Sequence, residues 1–253
     1  LNETNSRVLM LIDMNYMKVK NIEKDIKVCK VILVSVYGYV PFVIKLRHPF
    51  EEKIKIDLSK NNSVYMWWNT FLIRARKLHI DNYISDGDKD MDAIIHSGGT
   101  TGTPKGVVLT NGNLIAFVES AKIVQSYFTE NDTCLAVMPI FHAFGIIYSV
   151  LFPLCIGMNV VLRPKFDVKE YCNMIVKYRP QILMGVPSLF ESFLNEWKNS
   201  DIKLDFLKCV LVGGDVLNDD LRNRMNIFLK KRGADIKVCV GYGLSEAVCG
   251  VSL

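Results

Sequence analysis

The chain has 253 residues, of which 50% are hydrophobic and 23% are charged, and its formal net charge is +5. This composition excludes an intrinsically disordered chain and permits one large domain or two small ones. Lysines and arginines are scattered rather than concentrated on one segment, which argues against a nucleic-acid partner.

The first residues predict a small βαβ lobe. Residues 8–12 and 28–36 form strongly apolar runs rich in β-branched side chains, which favours strands. Residues 16–25 between them favour a helix. The two strands are therefore expected to lie side by side, joined by a helical crossover.

A less regular stretch follows this lobe. Residues 37–62 contain prolines and polar clusters, which favours a linker. Residues 64–78 carry their tryptophans and large apolar side chains at helical spacing and predict an amphipathic helix. We therefore expect a lobe and linker over residues 1–62 and a larger core over residues 63–253.

From residue 92 onward, short apolar strands alternate with helices. The predicted strands are residues 93–96, 106–109, 134–138, 160–162, 181–186, 209–212 and 236–240. The predicted helices are residues 112–128, 144–155, 168–178, 187–197 and 219–231. Asp167 followed by Glu170 predicts a helix start, Pro187 suits a first helical turn, and Gly233 suits a helix end.

Strands that are apolar throughout are typical of a parallel sheet covered by helices on both faces. The predicted fold class is therefore α/β, with doubly wound, largely parallel sheets and flanking helices. In such sheets, ligands bind beyond the carboxyl ends of the strands. The loops that follow the strands are thus the place to look for chemistry.

Cysteine usage and hydropathy bear on where the protein resides. The seven cysteines form an odd set without a C-x-x-C pair, which predicts reduced thiols and a cytoplasmic protein. Residues 143–162 lack charge over a length that could span a membrane, but Pro153, Gly157 and Asn159 interrupt them. A buried helix followed by a buried strand explains this run better, so we predict no transmembrane segment.

The strongest chemical signal is the run from His96 to Gly106, His-Ser-Gly-Gly-Thr-Thr-Gly-Thr-Pro-Lys-Gly. Its glycines allow backbone N–H groups to approach an anion, its threonines add hydroxyl donors, and Lys105 adds a positive charge. This combination predicts a phosphate-binding loop. The Walker pattern fits poorly because a glycine, not Ser or Thr, follows the lysine. A plain surface hairpin is the alternative, although it needs only about two turn residues.

This run resembles the phosphate-binding loop of the adenylate-forming superfamily, which contains acyl-CoA synthetases, luciferases and peptide-synthetase adenylation domains. Two further segments resemble motifs of that family in the same order: Met138-Pro-Ile-Phe-His-Ala-Phe-Gly145 and Gly241-Tyr-Gly-Leu-Ser-Glu246. Between them, Gly185-Val-Pro-Ser-Leu and Gly213-Gly-Asp-Val-Leu217 resemble two shorter family segments. The resemblance spans roughly residues 92–250.

The resemblance implies roles for individual residues. The expected triphosphate-binding residues are Ser97, Gly98, Gly99, Thr100, Thr101, Gly102 and Lys105. The other expected nucleotide-binding residues are Gly214, Asp215, Gly241, Tyr242 and Gly243, with Tyr242 and Asp215 facing the adenine. Ser245 is expected to contact the α-phosphate and Glu246 to hold Mg²⁺, a cation that prefers oxygen ligands. His142 is expected to orient the substrate carboxylate. Together Lys105, His142, Ser245 and Glu246 form the expected catalytic set.

Each role has a structural alternative. Tyr242 and His142 could simply be packed side chains, Asp215 could form a turn, and Ser245 with Glu246 could start a helix. The motif context favours the functional roles of Tyr242, His142 and the Ser245–Glu246 pair, whereas the two roles of Asp215 are nearly balanced.

The resemblance implies a reaction in which a carboxylic acid, expected to be a fatty acid, reacts with MgATP to form acyl-AMP and then acyl-CoA. ATP, Mg²⁺ and coenzyme A are the expected cofactors. The family's later motifs and small C-terminal domain lie outside this sequence, so we expect an incomplete large AMP-binding domain that is inactive alone. A domain that loads a carrier protein and a non-catalytic nucleotide-binding remnant are the alternatives.

Overall fold

The computed structural model describes residues 1–35, 56, 64–78, 87–97, 104–121, 128–163, 165–198 and 201–252. The chain divides into two compact units, Leu1–Ile84 and Ser85–Leu253. The predicted phosphate-binding residues Gly98, Gly99, Thr100, Thr101 and Gly102 lie outside the described residues, whereas Ser97 and Lys105 lie within them.

The first unit contains a parallel sheet with the order β1-β2-β3 among its described residues. Its elements are β1 (Val8–Ile12), α1 (Tyr16–Asn21), β2 (Lys30–Val34), β3 (Tyr65–Trp67) and α2 (Trp68–Ala75). Val31, Leu33 and Tyr65 form its buried centre. The predicted βαβ arrangement is confirmed in this unit, because β1 and β2 pair in parallel across α1.

The predicted helix over residues 64–78 was wrong at its start. Tyr65–Trp67 is a strand that pairs with β2, and the helix begins only at Trp68. Tyr65 is buried against the ring of Tyr16, with centroids 5.4 Å apart. Pairing with β2 places this strand in the first unit, so the two units divide after Ile84 rather than after residue 62.

The second unit opens with an antiparallel hairpin made of β4 (Met91–Ser97) and β5 (Lys105–Thr110). Helix α3 (Asn111–Ala121) follows it directly. Both strands were predicted, but their antiparallel pairing sets them apart from the parallel sheet. Ser97 pairs with Lys105, so these two residues stand at the end of the hairpin from which residues 98–103 depart.

The main sheet of the second unit has the order β10-β9-β8-β6-β7 among the described residues, and all its pairs are parallel. Its strands are β6 (Thr133–Ala136), β7 (Asn159–Leu162), β8 (Ile182–Gly185), β9 (Cys209–Val212) and β10 (Val238–Val240). The intervening helices are α4 (Phe152–Cys155), α5 (Val168–Tyr178), α6 (Pro187–Glu196) and α7 (Asp219–Lys231). The predicted parallel α/β architecture is thus confirmed.

Helix ends in this unit follow from local side-chain chemistry. The Asp167 carboxylate accepts a hydrogen bond from the backbone N–H of Glu170 at 2.9 Å, and α5 begins there as predicted. The Asn218 side chain caps α7 in the same way through the N–H of Leu221 at 2.8 Å. Such caps contribute about 1 kcal/mol each. Gly233, with φ of +84°, ends α7 as predicted, since a left-handed residue after a helix favours glycine.

The charge-free run is not one regular helix. Phe144–Leu151 forms a π-helix that continues as the short α4, followed by a turn into β7. A Cβ on Gly145 would lie 2.0 Å from the carbonyl oxygen of Pro139, so the helix start packs directly on the preceding loop. Among the helices that the structure describes, none combines the length and the apolar character needed to cross a membrane.

Candidate active site

Loops after three strands of the main sheet meet in one cleft. The strands β6, β9 and β10 are followed by the segments that contain His142, Gly213–Gly214 and Gly241. The cleft is open to solvent, and the space within it, solvent included, amounts to about 420 Å³. Its position beyond the carboxyl ends of parallel strands is where α/β proteins bind ligands.

The loop after β9 approaches the loop after β10 at backbone distance. A Cβ on Gly213 would lie 3.2 Å from the carbonyl oxygen of Gly241, and Gly214 has φ of +80°. The N–H of Gly241 donates to the carbonyl oxygen of Val212 at 2.8 Å, which extends the pairing of the two strands. The left-handed φ favours glycine at position 214, and the approach of the two loops leaves little space for a side chain at position 213.

The loop after β10 folds back on itself. The N–H of Tyr242 donates to the carbonyl oxygen of Ser252 at 3.0 Å, and the N–H of Val251 donates back to Tyr242 at 2.9 Å. A Cβ on Gly243 would lie 1.3 Å from the carbonyl oxygen of Cys249, so only glycine fits there. The Tyr242 side chain is 59% exposed, which leaves its ring available for stacking.

Ser245 lies next to the phosphate-loop hairpin. It begins a short 3-10 helix, Ser245–Ala247, which contacts both β4 and β5. Ser245 lines the cleft and is half-buried, whereas Glu246 is exposed. Ser97 is the last residue of β4 and Lys105 is the first residue of β5. The predicted phosphate-binding loop therefore connects two strands that both contact Ser245–Ala247.

The geometry of His142 selects one neutral tautomer. The backbone N–H of Phe144 donates to Nδ1 of His142 at 3.3 Å. A neutral imidazole has one acceptor nitrogen and one donor, so Nε2 carries the hydrogen. His142 lines the cleft and its side chain is exposed, which leaves an N–H donor free to meet a ligand there.

Six of the predicted residues line the cleft together: His142, Gly214, Gly241, Tyr242, Gly243 and Ser245. Asp215 lies beside it, where its carboxylate accepts a hydrogen bond from the N–H of Val216 at 2.7 Å. The backbone bends at Gly214 and Asp215. The role of Asp215 toward adenine stays a prediction.

The sequence did not single out Tyr148, Cys249 and Gly250, which also line the cleft. Burial raises the pKa of the Tyr148 hydroxyl to about 12 and that of the Cys249 thiol to about 12, so both are neutral at pH 7. One signal was available for Tyr148, because a hydroxyl inside a charge-free helical run is unusual. Cys249 and Gly250 belong to no motif.

Glu246 is the residue near the cleft whose chemistry could be tested against the predicted Mg²⁺, since it follows the cleft-lining Ser245. Among the described residues, no three acidic, histidine or cysteine side chains gather into a complete metal cage. Mg²⁺ usually keeps several waters and binds through one or two carboxylates plus substrate phosphates. Glu246, an exposed carboxylate next to Ser245, supplies the kind of ligand that such a site needs.

The model of the AMP-binding enzyme family matches residues 1–253. The chain belongs to the AMP-binding enzyme family. This confirms the family that the motifs predicted and the class of fold that goes with it.

Individual relatives agree with this membership. The chain is 27% identical over 250 residues to a long-chain-fatty-acid–CoA ligase of Bacillus subtilis, covering 98% of this chain and 44% of that protein. It is 34% identical over 160 residues to 4-coumarate–CoA ligase-like 8 of Arabidopsis thaliana, covering 62% and 28%. The chain thus spans less than half the length of these relatives.

Solved structures share the fold. A long-chain-fatty-acid-CoA ligase from Archaeoglobus fulgidus superposes with a TM-score of 0.75 at 20% identity, covering 99% of this chain and 45% of that one. An anthranilate CoA ligase in complex with anthranoyl-AMP gives a TM-score of 0.72 at 19% identity, covering 97% and 42%.

Proposed function

We propose that the complete protein is an ATP-dependent acid–thiol ligase of the cytoplasm, which activates a fatty acid to acyl-AMP and transfers the acyl group to coenzyme A. One observation carries this proposal: His142, Gly214 and residues 241–245 line a single cleft. That cleft lies next to the hairpin whose second strand begins at Lys105. Membership of the AMP-binding enzyme family supports it.

The proposed first step forms an acid anhydride. A carboxylate oxygen attacks the α-phosphorus of ATP, the bond from that phosphorus to the bridging oxygen breaks, and pyrophosphate leaves. The protein's part in such a transfer is positioning and charge neutralisation rather than covalent chemistry. In the second step a thiol sulfur attacks the acyl carbon, and AMP leaves.

The described residues suit these tasks. Tyr242 offers an exposed ring on which adenine would stack. Gly214 and Gly241 line the same cleft without side chains, which leaves room for the base beside that ring. Ser245 offers a hydroxyl for the α-phosphate, and Lys105 offers a positive charge for the departing phosphates. Mg²⁺, when bound near Glu246, would neutralise phosphate charge. The Nε2–H of His142 would donate a hydrogen bond to the substrate carboxylate and orient it for attack.

The fatty acid is the substrate we favour among acids. The wall of the cleft formed by Phe144, Tyr148, Leu211 and Cys249 is apolar and uncharged, which suits a hydrocarbon tail. Relatives named for long-chain fatty acids and for 4-coumarate both accord with an acid that has a large apolar part.

Acid-dependent exchange of labelled pyrophosphate into ATP tests the first step. The complete protein, supplied with MgATP and a panel of fatty and aromatic acids, should exchange only when an acid is present. Addition of coenzyme A should then yield an acyl-CoA that mass spectrometry detects.

Other outcomes would point elsewhere. Exchange without thioester formation on coenzyme A, but with acyl transfer to a carrier protein, would favour a carrier-loading enzyme. Nucleotide binding by calorimetry without exchange on any acid would indicate a non-catalytic nucleotide-binding protein and overturn the proposal.

A further inference from the structure

Helix α2 of the first unit leaves large apolar side chains exposed to solvent. None of its eight residues is buried, whereas α1 in the same unit buries Val19. Ile73 is 59% exposed, and Leu78, in the turn that follows the helix, is 67% exposed. A helix of a globular domain normally turns its large aliphatic side chains toward the core, so their exposure here indicates an interaction surface.

One side of α2 packs on the sheet and fixes the position of the helix. The helix follows β3 directly and contacts both β2 and β3. Its partly buried residues Trp68, Leu72 and Ala75 recur at i, i+4 and i+7, which is one face of a helix. The ring of Trp68 stacks on that of Phe71, with centroids 5.4 Å apart and an interplanar angle of 23°. The other side of the helix therefore faces solvent in a defined orientation.

This solvent-facing side is basic as well as apolar. Three basic residues are exposed on it or in the turn that follows: Arg74, Arg76 and Lys77. Residues 64–78 contain no Asp or Glu, so the segment carries three positive charges and no negative one. Phe71, Arg74 and Leu78 follow one another at i, i+3 and i+7, so a basic side chain separates two apolar ones along the helix.

Interleaved basic and apolar side chains fit the surface of a membrane that contains anionic lipid. In an interfacial helix, apolar side chains enter the boundary between headgroups and acyl chains, while Arg and Lys reach the phosphates through their flexible stems. A groove on a protein would favour a continuous apolar stripe, which Arg74 interrupts here. A nucleic acid would bind the basic residues through its phosphates and leave Ile73 and Leu78 exposed to water.

We infer that α2 and the turn that follows it form a peripheral membrane-binding surface, which holds the complete protein against an anionic bilayer. The helix lies in the plane of that surface and does not cross it, because eight residues of helix extend over about 12 Å and a bilayer core is about 30 Å thick. The inference goes beyond the proposed function and does not rest on it, since binding to lipid requires no substrate.

Co-sedimentation of the complete protein with lipid vesicles measures this binding. The protein should bind vesicles that mix phosphatidylcholine with phosphatidylserine, and it should bind phosphatidylcholine alone far more weakly. Arg74→Gln, Arg76→Gln and Lys77→Gln combined should lower the partition coefficient on mixed vesicles about hundredfold, since each basic residue near an anionic surface contributes about fivefold. Added salt should weaken the binding of the unaltered protein, because it screens these charges.

Ile73→Ser tests the apolar contribution, and Ile227→Ser is its matched control. Ile227 is 56% exposed, close to the value for Ile73, but it lies on α7 of the second unit. Ile73→Ser should lower the partition coefficient by at least about tenfold, and Ile227→Ser should leave it unchanged.

A second control removes three charges from a different surface. Lys230→Gln, Lys231→Gln and Lys237→Gln combined change the net charge by the same amount, at exposed residues of the second unit, and should retain most of the binding. Circular dichroism checks the fold of every variant. If the triple α2 variant does not fold, its three single substitutions replace it, and each should lower binding about fivefold.

The outcomes separate this inference from the proposed function. Equal binding to the two kinds of vesicle, or unchanged binding in Ile73→Ser, would overturn the membrane-binding role of α2. A dimer in sedimentation velocity that Ile73→Ser disrupts, without any vesicle binding, would assign the surface to a second copy of the chain and would equally overturn it. Failure of acid-dependent pyrophosphate exchange would bear on the proposed function alone.

Discussion

Replacing Gly243 by alanine tests whether the folded-back loop after β10 sets nucleotide binding. The added Cβ would lie 1.3 Å from the carbonyl oxygen of Cys249 and 2.5 Å from its carbonyl carbon. Both atoms belong to the backbone, so rotating a side chain cannot relieve the clash. The two sides of the loop must separate by about 2 Å to restore normal contact distances.

This separation of the two sides of the loop should weaken the binding of MgATP. The hydrogen bonds between Tyr242 and Ser252, at 3.0 and 3.2 Å, hold the loop closed and fix the Tyr242 ring near Ser245. If the adenine contact of Tyr242 and the phosphate contact of Ser245 each contribute about 1 kcal/mol, the loss is about 2 kcal/mol. The Kd for MgATP should therefore rise roughly thirtyfold.

Isothermal titration calorimetry with MgATP measures this effect, and thermal unfolding measures stability alongside it. Gly87→Ala is a matched control, because Gly87 has φ of +75° but nothing within 4 Å of an added Cβ, and it does not line the cleft. It should lose about 1 kcal/mol of stability from the left-handed backbone and keep its MgATP affinity. An unchanged Kd in Gly243→Ala would show that the loop shape does not control nucleotide binding.

Four further substitutions or measurements probe single groups. Lys105→Ala should weaken MgATP binding by about tenfold while the melting temperature stays unchanged, and unaltered affinity would remove Lys105 from the site. Glu246→Gln should raise the Mg²⁺ concentration needed for exchange, whereas normal metal dependence would contradict its role. His142→Gln should retain more acid-dependent kcat than His142→Ala, with MgATP affinity equal in both, and the reverse would move His142 to the nucleotide side. The neighbouring Cys209 thiol lowers the pKa of the exposed Cys239 thiol, so iodoacetamide should label Cys239 at a lower pH than the exposed Cys155, and labelling of both at the same pH would contradict this.

Elements with local signals could be predicted from sequence, and those that depend on distant pairing could not. Helix α5 begins where Asp167 indicated and helix α7 ends where Gly233 indicated, because these signals act between residues a few positions apart. The strand Tyr65–Trp67 is stabilised by pairing with β2, which is distant in sequence. Its aromatic residues continue the helical spacing of the apolar residues in the helix that follows, so the spacing predicts one longer helix. Nothing within that segment marks the change.

The relative direction of β4 and β5 could likewise not be predicted from their apolar pattern. The apolar runs of β4 and β5 resemble those of the main sheet, yet the two strands form an antiparallel hairpin. Direction here is fixed by the short connection between them, since parallel neighbours need a crossover of a dozen residues or more. The alternative of a hairpin and the prediction of a phosphate-binding loop are therefore compatible, because the loop departs from the hairpin's end.

Some residues that line the cleft could be predicted from sequence motifs, and others could not. His142, Gly214, Tyr242 and Ser245 stand in motifs that are visible in the sequence, and all four line the cleft. The opposite wall depends on a backbone reversal at Val248 and Cys249, which have φ of +56° and +87°. A β-branched residue rarely adopts such a φ, so local propensity argues against this turn, and the contacts of Cys249 with Gly243 and Leu244 must hold it in place. The reversal is what brings Gly250 under Tyr148. Cys249 and Gly250 thus line the cleft without belonging to any motif, because the path of the backbone brings them there.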